Sequence, residues 1–362
     1  MIGFEHYSPF PAISISTLTA FARCPRKFFY SFGVGIGKEE HIALKFGEAI
    51  HAALPHAFYA DLVASFAAFD HVWEDRDSFA DEKRNKMSAR LILTDYMQSH
   101  ASNRSIYKLL KPPSTTLRLS KSISEYEIPF VLDIGLSIPL VGRIDAHSSH
   151  RDTGELWLNE FKTSSEMSTR FFDGFQLNPQ VVGYTLGARA HGIPVKGCIV
   201  EGLKVSSAKK DAQMTQSTPV FVTDQMVEDF LIWAKYTAFF MLACQDAKEF
   251  PKDISACTPY SQFGMPGYQC EYLPMCLTSD WTSMKGMYTP KDYPTFRLLN
   301  GPKLKPALTE VTTNGLPIHP AQPPLNPSRT IRIGAAAGAG SVVASTAAND
   351  PQSTQQPMQS PP

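Results

Sequence analysis

Trp157-Leu-Asn-Glu-Phe-Lys-Thr163 reads as a strand, with Trp157, Leu158 and Phe161 apolar and a turn-like Asp152-Thr-Gly154 just before it. Alternation along a strand places Glu160 and Lys162 on one face. Fifteen residues upstream of Glu160, Asp145 closes Leu140-Val-Gly-Arg-Ile-Asp145, a second strand-like run. A turn-rich gap separates the two. Paired as a hairpin, they would bring a carboxylate from each strand beside one lysine. Two carboxylates suit a hard divalent cation such as Mg²⁺. A neighbouring ammonium can orient a water and offset negative charge on a phosphate in flight. That is the chemistry phosphodiester hydrolysis needs. Glu-x-Lys on a strand is more often a solvated face, so the case rests on what else the chain carries.

The chain has 362 residues, 43% of them hydrophobic, with a formal net charge of zero. That is enough for one large or two medium domains with a real core. No global basic field advertises nucleic-acid binding, so such binding would need a local basic patch. No apolar run is long enough to span a membrane. The N-terminus lacks the charged-then-apolar pattern of a signal peptide, so a cytoplasmic, reducing compartment is expected. There six cysteines are not expected to form a disulfide framework.

Ser16 is a plausible N-cap for a helix through about Tyr30, with Leu18, Phe21, Ala22, Phe28 and Phe29 as its apolar face. Gly33-Val-Gly-Ile-Gly-Lys38 fails as a phosphate loop: it is one residue short, and Glu39 stands where Ser or Thr should bind Mg²⁺. A flexible turn is expected instead. A helix is expected from about Ala43 to Ala60. In it Gly47 permits close packing, and His51 lies one turn on along roughly the same face, either as an interface histidine or as a ligand reaching the site of Asp145. Residues 61–105 read as helical with charge runs such as Asp81-Glu-Lys-Arg84, which read as solvated faces, up to Pro112-Pro113. Strands are expected at 126–131, 136–146, 156–163 and 195–205, and a helix from Asp224 to about Ala247. Asn178 and Pro179 open another helix, on which Gln180 and Tyr184 share a face.

Cys257, Cys270 and Cys276 fall in twenty residues rich in Gly and Pro. Such a loop lets thiolates converge, and Cys24 would make a fourth ligand for an iron–sulfur cluster or a structural zinc. From about Pro302 the composition changes. Residues 301–362 hold eleven prolines and no aromatic residue, so a packed core is not expected there.

Together these pieces resemble the PD-(D/E)XK nuclease superfamily. More narrowly they resemble the branch of RecB- and AddB-type nuclease domains and of CRISPR-associated and phage-type exonucleases that carry an iron–sulfur cluster. The resemblance covers roughly residues 13–280. Gly47-x-x-x-His51, Asp145 in Gly142-Arg-Ile-Asp, Glu160-Phe-Lys162 and Gln180-x-x-x-Tyr184 match the family's motifs in order. Cys24 with Cys257, Cys270 and Cys276 resembles its arrangement of one early and three late cysteines. One departure is the twelve residues between Cys257 and Cys270, where the family often has a close pair. It leaves zinc open as the occupant.

The resemblance implies an α/β fold: a restriction-endonuclease-like central mixed sheet flanked by helices, with a cysteine-stapled metal-cluster region; composition adds a disordered C-terminal tail. It places the nuclease domain at 1–285 and the Pro/Ala/Gly/Ser-rich tail at 286–362. It implies Mg²⁺ or Mn²⁺ held by His51, Asp145, Glu160 and the backbone carbonyl of Phe161, and a 4Fe-4S cluster on the four cysteines, zinc being the alternative. Lys162 would position the nucleophile, and Gln180 and Tyr184 would hold the substrate strand. The implied partner is DNA, single-stranded or with free ends. Any helicase or recombination protein working with it would be a separate chain, and a phage-encoded copy would act in the host cytoplasm. The rivals are an inactive nuclease fold that binds DNA or acts as a scaffold, and a zinc-stapled interaction module in which Glu160-x-Lys162 is accidental.

Overall fold

The computed structural model describes residues 12–38, 42–74, 80–101, 106–111, 126–206, 214–257, 270–278 and 281–290. All lie in one compact unit, Met1–Val311; the tail from residue 291 onward is outside the described residues. In chain order the strands are β1 (Ile13–Ser14), β2 (Ile36–Gly37), β3 (Tyr107–Leu110), β4 (Ile128–Leu132), β5 (Leu140–Ile144), β6 (Ala146–His150), β7 (Leu156–Ser164), β8 (Gly197–Lys204), β9 (Thr215–Phe221) and β10 (Thr289–Pro290). The α-helices are α1 (Ile15–Arg23), α2 (Pro25–Phe28), α3 (Ile42–Phe58), α4 (Leu62–Trp73), α5 (Lys86–Ala101), α6 (Thr169–Asp173), α7 (Pro179–Ala190), α8 (Asp224–Asp246), α9 (Ile254–Cys257) and α10 (Leu273–Leu277).

Five strands form a mixed sheet in the order β3-β6-β7-β8-β9. Within it β7 and β8 run parallel, and the other neighbours are antiparallel. A second sheet has the order β1-β5-β4, and β2 pairs with β10. Alternation along β7 and β8 supplies a core on each face. Leu158, Cys198 and Val200 pack with α1, α7 and α8, whereas Phe161 and Leu203 pack with α3, α4 and α5. The fold is therefore mixed α/β with helices on both faces.

The expected hairpin forms, in a form the sequence reading did not anticipate. The run expected as one strand over 136–146 divides at Asp145: β5 belongs to the three-stranded sheet, and β6 pairs with β7 in the five-stranded one. Asp145 is the residue between them. The connecting turn places Gly154 at φ +72°, a conformation that suits glycine.

The N-terminal helix differs from expectation. Ser14, not Ser16, is its cap: the Ser14 hydroxyl accepts from the Thr17 N–H and the Thr17 hydroxyl accepts from the Ser14 N–H. The expected helix through Tyr30 breaks at Cys24, because Pro25 has no N–H to continue the ladder and instead opens α2. A single π-helical turn, Phe29–Gly33, follows. The stretch expected as a turn after Gly33 contains β2. The helical reading of 61–105 resolves into α4 and α5, and β3 and β9 were not expected at all. The described residues continue to 290. Tyr288 stacks on Tyr272 at 5.5 Å between ring centroids, and Thr289 pairs with Gly37.

The Phe130 ring of β4 wedges α7 against the small sheet. It lies opposite Gly142 across the strand pair and under Gly187 of α7. A Cβ at Gly142 would fall 2.3 Å from the ring, and one at Gly187 2.7 Å. Gly142→Ala is therefore expected to destabilise the domain by about 1–3 kcal/mol through overpacking. The change would be read as a lower midpoint in chemical denaturation with an unaltered m value.

Candidate active site at the end of strand β7

Glu160 and Lys162 lie on the face of β7 that meets α7. The helix is aimed by its cap: the Asn178 carboxamide oxygen accepts from the Gln180 N–H at 2.9 Å, with Pro179 in the first turn. Gln180 then donates through Nε2 to Glu160 Oε1 at 2.7 Å and accepts from Lys162 Nζ through Oε1 at 3.3 Å. Lys162 Nζ also donates to Glu160 Oε1. Glu160, Lys162 and Gln180 thus close a triangle. The Tyr184 phenol stands beside it, its pKa raised first by burial and then by the charges of Glu160 and Asp145.

Asp145 reaches the same place from the break between β5 and β6. Its Oδ2 accepts from the Phe161 N–H at 3.2 Å. From α3, His51 places Nδ1 3.7 Å from that oxygen and sets its ring edge-on to Phe161 at 6.0 Å between centroids. α3 can lie this close because residue 47 is glycine: a Cβ there would be 3.2 Å from Thr163 Oγ1. His51, Asp145, Glu160, Phe161, Lys162, Gln180 and Tyr184 all lie together in this region.

The electrostatics are those of two carboxylates sharing one corner at the edge of a cleft. Burial, and then repulsion from Asp145, pushes the Glu160 carboxyl up to about 7. Burial also raises the pKa of Asp145, with Lys162 and the Phe161 N–H opposing it. Lys162 is raised by the carboxylates despite its own burial. Burial, and then Lys162, lowers His51 to about 4, so its imidazole is neutral and free to act as a donor of electrons. At 3.7 Å its contact with Asp145 is neither an ion pair nor a hydrogen bond.

Among the described residues, no three or more His, Cys, Asp or Glu side chains are arranged so as to hold a metal ion as they stand. The donor set nevertheless fits a hard cation. Glu160 Oε2 is buried with no hydrogen-bond partner, two carboxylates converge, and a neutral imidazole is beside them.

Two arginines join the region. Arg143 precedes Asp145 by two residues, and its charge opposes the rise in the Asp145 pKa. Strand alternation in Gly142-Arg-Ile-Asp145 already carried that signal. Arg84 lines the same cleft as His51 and Lys162, although its charge run had read as a solvated face.

The four cysteines assemble at a second place, whose lining shares no residue with the cleft beside Lys162. Cys24 sits between α1 and α2, Cys257 ends α9, and Cys276 lies in α10. These three, with Cys270, line one small cavity together with Arg23 and Lys27. The Cys270 N–H donates to the Cys257 carbonyl at 3.0 Å, and Lys252 donates to the Cys276 carbonyl. All six cysteines of the chain are unbridged. Burial, and then the neighbouring Cys257, holds the Cys276 thiol up at about 11. Cys198 and Cys244 are buried elsewhere, as packing residues.

The family model of the PD-(D/E)XK nuclease superfamily matches residues 12–276, a span that includes the paired carboxylates, Lys162 and all four clustered cysteines. The chain belongs to that superfamily. Among solved structures it is similar to a crystal structure of a "putative exonuclease" from Eubacterium rectale, at 12% identity and a TM-score of 0.44, over 74% of this chain and 93% of that one. Comparison with curated proteins gives no match. No helix among the described residues is long and apolar enough to cross a membrane.

Proposed function

We propose that this protein is a divalent-metal-dependent DNA nuclease that works as an exonuclease in recombination, repair or DNA end processing. The observation that carries the reading is the buried, unpartnered Oε2 of Glu160 beside Asp145, His51 and Lys162. A buried carboxylate oxygen left without a donor costs stability unless a cation or proton completes it.

In this reading His51, Asp145, Glu160 and the Phe161 carbonyl hold Mg²⁺ or Mn²⁺. The ion, when bound, supplies Lewis-acid polarisation of the phosphate and a more acidic water. Lys162 holds the nucleophilic water in position and offsets charge developing on the phosphate. Gln180 orients both Glu160 and Lys162, and Tyr184 offers a hydroxyl to the substrate strand. The substrate is DNA, single-stranded or with free ends, and any helicase or recombination partner is a separate chain. The domain that does this is residues 1–285, with cluster ligands at both ends, and residues 286–362 are its tail.

Cys24, Cys257, Cys270 and Cys276 form a structural metal site that ties α1 and α2 to the C-terminal segment. The superfamily resemblance points to a 4Fe-4S cluster. The twelve residues between Cys257 and Cys270, where the superfamily often has a close pair, keep zinc as the second reading. Metal analysis with a visible absorption spectrum of anaerobically purified protein separates the two.

The activity test is degradation of end-labelled single-stranded and duplex DNA with Mg²⁺ or Mn²⁺, comparing wild type with Glu160→Ala. Loss of cleavage in the variant supports the nuclease, and the product ladder gives polarity. No cleavage by folded, metal-loaded protein leaves the DNA-binding scaffold.

Glu160 also makes a pH prediction. Its unfolded carboxyl titrates near 4.5 and its folded one at about 7. Across that interval the folded chain keeps a proton that the unfolded chain has released, so Glu160 erodes metal-free stability as pH rises from about 4.5 to 7. Glu160→Gln removes this term. Its Tm in EDTA is expected to exceed that of wild type above pH 7 and to converge with it near pH 4. Parallel curves at every pH would contradict the assignment.

A further inference from the structure

The catalytic strand opens into a cleft of about 330 Å³ whose lining includes His51, Lys162, Thr163 and Ser165, with the exposed Leu44 on the α3 side. Lys162 is committed to Glu160 and Gln180. The carboxylate of Glu48, also in the lining, is paired with Lys45 at 2.9 Å. One further cation faces this space among the described residues: Arg84, from the segment between α4 and α5.

Arg84 is held there by its own loop. Asp81 Oδ1 accepts from the Lys83 and Arg84 N–H groups at 2.8 and 2.6 Å, and its Oδ2 accepts from Arg84 Nη1 at 2.7 Å. Asn85 donates to the Asp81 carbonyl at 3.1 Å and caps α5 by accepting from the Ser88 N–H at 2.9 Å. The Arg84 side chain is only 21% exposed, less than its Asp81 partner at 41%. It is therefore packed into the cleft wall instead of standing free in solvent. Asp81 engages one end of the fork. Among the described residues no partner occupies the guanidinium's other nitrogens.

We propose that Arg84 is a substrate-binding residue: its guanidinium grips a non-scissile phosphodiester of the DNA strand lying in this cleft, and Asp81 fixes the fork's direction. A planar fork with donors to spare matches phosphate oxygens, and a phosphate beside the reacting one is the negative group that a strand passing over Lys162 presents. Leu44, 65% exposed at the mouth, offers an apolar surface to a sugar or base. This subsite rests on the nuclease reading of the catalytic strand, and its contact is sequence-independent.

The test is fluorescence-anisotropy binding of a labelled single-stranded oligonucleotide in Ca²⁺ over a salt series, beside steady-state cleavage in Mg²⁺. Arg84→Ala is expected to raise Kd about 10- to 100-fold and to reduce the slope of log affinity against log salt by about 0.7. Its kcat at saturating DNA should stay within about twofold of wild type, so the loss appears in KM. Arg84→Lys keeps the salt slope while losing part of the affinity, which a purely structural arginine would not do. Asp81→Ala weakens binding less and leaves the slope unchanged. A melt run alongside each variant shows whether it folds; if Arg84→Ala does not, Arg84→Lys decides. Wild-type Kd and slope in a folded Arg84 variant overturn the proposal. Should wild type bind DNA without cutting it, the nuclease reading falls while the binding result still judges Arg84. Should wild type bind no DNA, both fall.

Discussion

Glu160→Ala is expected to lower metal-dependent DNA cleavage by on the order of 10³-fold or more, with the fold intact. The cation's stabilisation of the phosphate is worth several kcal/mol, and each 1.36 kcal/mol is tenfold in rate. Glu160 is the carboxylate whose second oxygen has no other use in the fold. The fold should survive because the residue's charge is held against burial and against Asp145. Lys162, 30% exposed on its side chain, can turn to water or keep Gln180 once Glu160 is gone. Asp145→Ala should lose activity comparably, since the Phe161 N–H that Asp145 accepts from ties it to the same strand. The measurement is initial rate on end-labelled DNA, with thermal melts of each variant alongside. Full activity in Glu160→Ala would remove this carboxylate from the chemistry.

Cys276→Ser is expected to strip most of the iron or zinc from the protein and to destabilise it by about 3–5 kcal/mol, comparable with losing a native disulfide. Cys24 and Cys276 belong to segments far apart in the chain that share one small cavity. Without metal, the buried and crowded thiols add little: Cys257 and Cys276 both have raised pKa values and stay protonated. In the proposed reading a metal held by the four thiols adds a tie to the buried aromatic contacts of this region. Replacing Cys244, a buried packing residue outside the cavity, should leave metal content unchanged. Equal metal content in Cys276→Ser and wild type would show that the four thiols do not hold a metal.

Some of this was legible because the signals are local. The Asn178–Pro179 cap and the four-residue spacing of Gln180 and Tyr184 depend on backbone geometry within one turn, and α7 forms as read. The alternation that puts Glu160 and Lys162 together is a property of any strand. Other elements were hidden for equally physical reasons. β9, Thr215–Phe221, is an edge strand with a proline and mostly polar residues, so it carries little apolar pattern. β3 is a four-residue edge strand just past a helical stretch, and its identity comes from pairing with β6. The break at Cys24 was written in Pro25, but the apolar face running on to Phe29 outweighed it.

Taken alone, then, the amino-acid order determined which chemical groups this protein owns and their order along the chain: an imidazole, two carboxylates, an ammonium, an amide and four thiols. Tertiary structure decided where they meet. Asp145 faces Glu160 because the chain changes sheets at that residue, and a sheet change is set by which distant strands find pairing partners. Cys24 joins Cys257, Cys270 and Cys276 because α2 and the π-helical turn after it meet the C-terminal segment, through Lys27 with Glu271 and the buried contact of Tyr30 with Tyr272. Arg84 enters the cleft because the packing of α4 and α5 on α3 carries its loop there. Local sequence encodes periodicity and caps, whereas the convergence of residues as far apart as His51 and Asp145, or Cys24 and Cys276, is encoded only in the shared burial of the whole core.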